Sequence, residues 1–575
     1  MQAKNIVCWG AAVCLALSVA ACGQRHGETV SQQPSNSSSA PAVAPAPAPL
    51  TKPAPTMRSP ASEPMARFSQ TGNSVTLYGF ADVAIAPQQQ MREQYAQFSG
   101  NPIKRSTQEP VSTLSLDVDT GAYSNVRRFI QQGQLPPTDA VRVEELINYF
   151  SYDYGQAQAE HPFALSTEVA PAPWNADKLL LRVGVKAVER NSIDMPPANL
   201  VFLVDVSGSM EARDKLPLVQ ATLKLLVEQL RPQDKVSLVV YAGRTAVELE
   251  PTSGSDKHKI LAAISRLTAG GATAGASALE LAYQQARAGY IPGGINRVLL
   301  ATDGDFNVGV TSTEQIKKMV ERQRASGISL TTLGFGQGNY NEALMKQVAQ
   351  VGNGNYSYID SLQEGRKVLV EELSATFNTV AADVKLQLEF NPDTVAEWRL
   401  IGYENRLLNE ADFRNDQVDA VEIGAGKSVT ALYEITLVGQ PGSLPGRRYA
   451  ANQPQAAVAA DVQRQHEGEL GELRIRYKRP GHTSAVELTE VIAAKTTAQT
   501  SAQASSDWRF AAAVAAFGQQ LRGTSYLGEW RYADTAELAR SALGSDAQGY
   551  RRSFVQLVEL AQALQTPLSA GSAQQ

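Results

Sequence analysis

Cysteine is nearly absent from this chain. The 575 residues contain three, Cys8, Cys14 and Cys22, all within the first 22 positions. Histidine is almost as scarce: His26, His161, His258, His466 and His482 are scattered. No two of them have zinc-protease spacing, and no Gly-x-Ser-x-Gly or phosphate-loop motif occurs. Charge of one sign is lacking too. The net charge of −5 argues against a nucleic-acid partner, which would need a basic face. The apolar run from Ile6 to Ala21 is too short and too rich in alanine for a membrane span.

That run is informative in another way. Lys4 precedes it, and small residues end it at "VAAC", the pattern of a secretory signal. An ordinary cleavage near Ala21 would leave Cys22 incidental. Val19-Ala20-Ala21-Cys22 resembles the lipobox of bacterial lipoproteins, which implies that Cys22 becomes the mature N-terminus and carries acyl chains. Cleavage there removes Cys8 and Cys14, so no disulfide can form within the exported chain. Gly23 stands where an aspartate would resemble an inner-membrane retention signal. An envelope location is therefore expected, with the outer membrane or periplasm, or the cell surface, favoured. Residues 23–70, including "APAVAPAPAPLTKPAP", have too few large apolar groups to fold. They read as a polyproline-like tether able to span roughly 100 Å.

A chain this long needs several cores. A weak helical stretch is expected near "QQQMREQYAQF". Between 100 and 197 the sequence predicts a strand from Thr113 and a helix from Ala122. A second helix follows, with Val143, Leu146, Ile147 and Phe150 on one face, and then two strands. From 198 to 380, continuous apolar strands alternate with amphipathic helices, the last helix from Ser361 to Val380. This pattern predicts a doubly wound, mostly parallel α/β sheet, whose ligands belong at the carboxyl ends of its strands. After Asp383 the period changes to two: Val384, Leu386, Leu388 and Phe390 share a face. Residues 383–495 read as antiparallel sheet pairing with the strands before 190, so that the α/β domain is inserted in a β-sandwich. Residues 505–566 return to helix, with core stripes at Phe510, Val514, Phe517 and Leu521 and at Phe554, Leu557, Val558 and Ala561.

The strand "NLVFLVDVSGSM" ends in Asp205, Ser207 and Ser209. The loop "AGGATAG" offers Thr273, and "RVLLATDGD" ends at Thr302-Asp303-Gly304. All could gather over one sheet edge. Two carboxylates and three hydroxyls are hard oxygens, which suit Mg²⁺ or Mn²⁺ over zinc. Taken alone, "DVSGS" could equally be a capped helix start.

With Thr273 and Asp303 in order, the set resembles the metal-ion-dependent adhesion site of the von Willebrand factor A domain, over roughly 198–380. The flanks "DVDTGAYSNVRRFI", "VRVEELINYF" and "FAAAVAAFGQQLRG" resemble the YfbK-type family of bacterial lipoproteins. The resemblance implies that Ser207 and Ser209 ligate the metal directly. Thr273 would do so directly or through water, and Asp205 and Asp303 mostly through water. Two carboxylates would leave little net charge on a loaded site, so an acidic side chain of a partner protein could complete the coordination. The expected role is a membrane-anchored binding module and not an enzyme. The alternatives are a structural envelope protein with a vestigial site and a metal-dependent hydrolase, for which only Asp305 is available as a base.

Two further motifs point elsewhere. Asp119-Thr120-Gly121 resembles the aspartic-protease triplet, but no second copy supplies the partner carboxylate. It reads as a strand-to-helix turn capped by Asp119 or Thr120. Asp303, Asp305, Asn307 and Glu314 have calcium-loop spacing, but Val308 stands where a glycine is required.

Overall fold

In a computed structural model of the chain, the described residues are 93–565, apart from 117–118, 158–159, 191–194, 272–275, 305–312, 339, 373–374, 376, 419, 448–465 and 495–497. Cys22 and the 23–70 tether lie outside them. The chain enters through β1 (Lys104–Arg105), β2 (Val111–Ser115), α1 (Gly121–Gln131), α2 (Val143–Asn148), β3 (Phe163–Ala172) and β4 (Asn175–Ala187). The alternating strand-helix segment follows: β5 (Ala198–Asp205), α3 (Leu216–Gln229), β6 (Lys235–Tyr241), β7 (Thr245–Ser253), α4 (Lys257–Ser265) and α5 (Ala276–Ala288). It continues with β8 (Ile295–Thr302), α6 (Thr313–Ala325), β9 (Ser329–Phe335), α7 (Glu342–Val351), β10 (Tyr356–Ile359) and α8 (Leu362–Arg366).

The strands before residue 190 are completed by strands after residue 378. These are β11 (Thr379–Phe390), β12 (Val395–Ile401), β13 (Leu407–Leu408), β14 (Val421–Gly424), β15 (Ser428–Leu437), β16 (Glu469–Lys478) and β17 (Ala485–Ala493). One sheet has the order β1-β12-β15-β4-β3; the other runs β13-β2-β11-β16-β17, with β14 also on β11. Every pairing is antiparallel. Val384, Leu386, Leu388 and Phe390 all point into the core between the sheets, with Leu114, Val183 and Tyr433. The two-residue period after Asp383 therefore marks a sandwich face, and the α/β domain is an insertion in that sandwich.

The inserted sheet has the order β10-β9-β8-β5-β6-β7. All neighbours are parallel except β7, which runs antiparallel to β6. One core, with Leu223, Ile260 and Leu369, fills one face of the sheet; another, with Tyr283 and Ile316, fills the other. The sequence reading missed β7. It is a half-exposed edge strand containing Pro251, so it lacks the continuous apolar run of its neighbours.

Helices α9 (Ser506–Leu521), α10 (Tyr532–Arg540) and α11 (Tyr550–Gln565) join α1 and α2 in a layer on one sandwich sheet. Phe150 meets Phe510 and Phe554 edge to face, at centroid distances of 4.9 and 5.6 Å. Both C-terminal stripes are buried.

Three local expectations are corrected. Residues 93–98 are not helical: the Gln94 N–H donates to the Tyr340 carbonyl at 2.9 Å, drawing the segment against the α/β domain. The helix expected to reach Val380 breaks off, because Thr379 onward is claimed by sheet pairing with β14. The Asp-Thr-Gly triplet leads into α1 as expected, but not through a Thr120 cap. Thr120 makes no side-chain cap bond, and Glu145 accepts from the Ala122 N–H at 2.9 Å instead. Asp119 accepts from the Tyr356 N–H at 3.1 Å, and a Cβ on Gly121 would lie 2.2 Å from the Tyr356 ring. The triplet is a docking point for the edge strand β10.

The exit of the α/β domain is tied to the sandwich by charge. Glu372 accepts from Lys367 and from Lys427, the latter at 2.9 Å. Burial works to raise its carboxyl, but these two ammonium groups hold it down to about 2. A folded value below the ordinary 4.5 means that the stabilisation is present above that pH and is lost as pH falls through about 2. Glu372→Gln is expected to lower unfolding stability by about 1–3 kcal/mol at neutral pH. Denaturant titrations should show that difference shrinking on acidification; a pH-independent difference would refute this account.

Candidate functional site

Strand β5 is buried along its whole length and delivers Asp205, 0% exposed, to the sheet edge. A carboxylate there is costly unless its oxygens are satisfied. Oδ1 accepts from the Ser207 N–H at 2.9 Å, and Oδ2 accepts from the Thr302 hydroxyl at 3.1 Å. Thr302 ends the neighbouring strand β8, and its hydroxyl accepts from the Gly304 N–H at 3.2 Å. Asp205 is thus bracketed by its own turn and by the adjacent strand.

Ser207 is buried, while Gly208 and Ser209 are exposed. The two serine hydroxyls lie 3.0 Å apart, at the boundary between core and solvent. Met210 is fully buried and pins this turn, with its N–H donating to the Ser207 carbonyl at 3.0 Å. The glycine loop comes to the same place. Gly208 N–H donates to the Gly271 carbonyl at 3.0 Å, and Gly270 N–H to the Val206 carbonyl at 2.8 Å. Thr273, next along that loop, lies outside the described residues, as does Asp305.

Asp303, also 0% exposed, follows Thr302 directly. Its Oδ2 accepts from Lys215 Nζ at 2.9 Å. Sequence reasoning missed Lys215. The run "EARDK" reads as a solvated turn, and nothing in it marks one cation as buried. The signal lies at the other end of the contact: Gly336, at φ +69°, whose Cβ would come within 2.4 Å of the lysine Cγ. The expectation of little net charge on a loaded site did not count this lysine.

Among the described residues no cation pairs with Asp205. Its carboxyl is pushed above the usual range, first by burial; Ser207 bonds oppose that shift and the neighbouring Asp303 charge adds to it. Beside it, burial and the Asp205 charge push the Tyr241 hydroxyl up as well. No three His, Cys, Asp or Glu side chains gather as a metal group among the described residues. The donor set is carboxylates with hydroxyls. An uncompensated buried carboxylate beneath two adjacent hydroxyls fits a hard divalent cation.

A buried strand-end aspartate, a Ser-x-Ser turn and an aspartate on the adjacent strand, set on a doubly wound sheet, define a von Willebrand factor A domain. Residues 199–371 match the family model for the von Willebrand factor type A domain, and 89–182 match one described as von Willebrand factor. Residues 375–564 match the model for the C-terminal region of the uncharacterized protein YfbK. The chain belongs to the YfbK family of these proteins. The uncharacterized protein YfbK of Escherichia coli K12 is 51% identical over 474 residues, covering 81% of this chain and 80% of that protein. Human inter-alpha-trypsin inhibitor heavy chain H4 is 32% identical over 148 residues, 24% of this chain and 16% of that protein. A solved von Willebrand factor type A protein from Catenulispora acidiphila covers 71% of this chain and 91% of its own, at 14% identity and a TM-score of 0.35.

A carboxyl raised by burial opposes folding once ionised. The penalty is absent below the unfolded-state value and grows as pH rises through the folded one. Asp205→Asn keeps the shape without the charge. In chelator at neutral pH it is expected to melt above the wild type, with the gap closing on acidification. Scanning calorimetry checks this, and a lower midpoint at neutral pH would refute it.

Proposed function

We propose that this chain is a membrane-anchored, metal-dependent protein-binding module that captures an acidic side chain of a partner. The observation that carries the reading is a buried carboxylate tied to a hydroxyl turn at one sheet edge. Asp205 at the end of β5 holds the Ser207 N–H, the Ser207 hydroxyl lies 3.0 Å from that of solvent-facing Ser209, and buried Asp303 follows the adjacent strand β8. Mg²⁺ or Mn²⁺ is the cation that such hard oxygens favour. Ser207, Ser209 and Thr273 would hold it, and Asp205 and Asp303 would orient the hydroxyls and balance charge. Bound there, the cation supplies a Lewis-acidic position for a carboxylate. The buried turn around Met210 keeps the hydroxyls in place before any ligand arrives. Lipidation of Cys22 and the 23–70 tether would hold this head off a membrane of the cell envelope.

One observation favours a second reading, a structural envelope protein with a vestigial site. Lys215 already neutralises Asp303. A partner bound in that case would remain bound in chelator.

Titration of the full chain with Mn²⁺ separates the two. Asp205→Ala and Ser207→Ala are each expected to weaken binding at least about tenfold, the weight of one or two charge-assisted contacts. Equal and negligible affinity in all three proteins, with an acidic peptide present, would overturn the metal-dependent reading. Capture of an envelope partner should likewise disappear in EDTA and in Asp205→Ala.

A further inference from the structure

The turn after Asp303 is seated on the connection that leads from β9 into α7. Gly304, at φ +91°, lies so close that a Cβ there would be 2.5 Å from the Asn341 nitrogen and 2.9 Å from the Tyr340 Cα. The stem of Lys215 rests on Gly336 of the same connection. Within the domain, tyrosines hold this connection. Tyr340 is fully buried, its hydroxyl is hydrogen-bonded to that of Tyr356, and the Tyr358 hydroxyl donates to the Gly336 carbonyl at 2.6 Å.

Residues from outside the α/β domain hold it as well. Glu93 Oε1 accepts from the Gly338 N–H at 3.0 Å. The Gln94 N–H donates to the Tyr340 carbonyl at 2.9 Å, and its side-chain oxygen accepts from Asn341 Nδ2 at 3.3 Å. Glu93 is in turn fixed from α1. Its Oε2 accepts from Arg128 Nη2 at 2.8 Å and from the Tyr95 hydroxyl at 2.6 Å, and that hydroxyl accepts from Asn125 Nδ2 at 2.7 Å. The Glu93 and Arg128 side chains are 3% and 6% exposed. A buried pair of this kind fixes geometry, and losing one partner leaves the other charge unpaired. Further along, Arg142 donates to the Ala96 carbonyl and covers the Phe98 ring, and Asn101 donates to the Leu400 and Gly402 carbonyls. One short segment thus ties the connection beside Asp303 to the helical layer and to the sandwich.

We propose that Glu93 and Gln94 are positioning residues of the candidate metal site, although they lie outside the domain that carries it. Docked, they fix the backbone against which Gly304 packs, and with it the turn of Asp303. A continuous run of packed backbone and hydrogen bonds carries the effect. The inference rests on the metal-dependent reading above and adds to it a dependence on the segment that joins the body to the N-terminal chain. Among the described residues these two are also the first that a pull from the N-terminal side reaches, ahead of Phe98 and Asn101.

The test uses the full chain, Mn²⁺ titration and amide hydrogen exchange. Glu93→Ala removes the acceptor of the Gly338 N–H. It is expected to speed exchange at Gly338 and to weaken Mn²⁺ binding about tenfold. Gln94→Pro removes the donor to Tyr340 at an exposed residue. It should move both readouts in the same direction, and it decides the question should Glu93→Ala fail to fold. Glu372→Gln, which loosens the molecule at the exit of the domain, should bind Mn²⁺ as the wild type does. Unchanged Mn²⁺ affinity in Glu93→Ala and Gln94→Pro, whether or not Gly338 exchanges faster, would overturn the positioning role and leave the metal site standing. An equal loss of affinity in Glu372→Gln would overturn it too, because the effect would then be one of general loosening. Absence of Mn²⁺ binding in the wild type would overturn the metal-dependent reading and this inference with it.

Discussion

The pairing of β2 with β11 is the constraint on which the rest of the molecule depends. Val111 to Ser115 lie in register with Glu389 to Lys385, although the whole α/β domain intervenes in sequence. A second long-range pair, β4 with β15, closes the opposite sheet. Together they bring the two ends of the inserted domain to one place on the sandwich. Neither sheet can be completed until the insertion has been made. The entry and exit of the α/β domain are therefore held by the same core that holds the flanks.

Several buried charges lie around that junction. Arg127 on α1 reaches Asp360 at 2.7 Å and Glu364 at 2.8 Å, where the Tyr149 hydroxyl also donates. Glu372 lies between Lys367 and Lys427. Buried pairs of this sort contribute little net stability against apolar alternatives, but removing one partner is costly. They fix geometry more than they add energy. Here they fix how the last turns of the α/β domain leave its sheet, at β10 and α8.

The site follows a different electrostatic logic. At the junction each buried charge has a counter-charge. At the edge of β5 and β8, Lys215 pairs with Asp303, and among the described residues Asp205 has hydrogen bonds and no cation. A negative charge held at a buried strand end is one that a bound cation would neutralise. Of the two hydroxyls beside Asp205, Ser207 is buried and Ser209 faces solvent.

Much of this could be read from the order of residues alone. The continuous apolar run before Asp205, the two-residue period from Val384 to Phe390 and the stripes at Phe510 and Phe554 each state a face, because burial demands a periodicity that matches the local backbone. The hydroxyls and carboxylates of the site could be named because hard-oxygen donors at strand ends leave a pattern in sequence. What could not be read are the contacts whose partners share no periodicity. The edge strand β7 is half exposed and shows no run. Asp119-Thr120-Gly121 reads only as a helix start until Tyr356 is seen lying against it. Lys215 looks solvated until Gly336 opens the space that takes its stem. The order of residues settles which faces are apolar and which side chains end the strands, since both are local properties of the backbone period. Which charge meets which is settled by the folded arrangement. That choice depends on distances between segments far apart in the chain, and on low-dielectric surroundings that exist only once the core has closed.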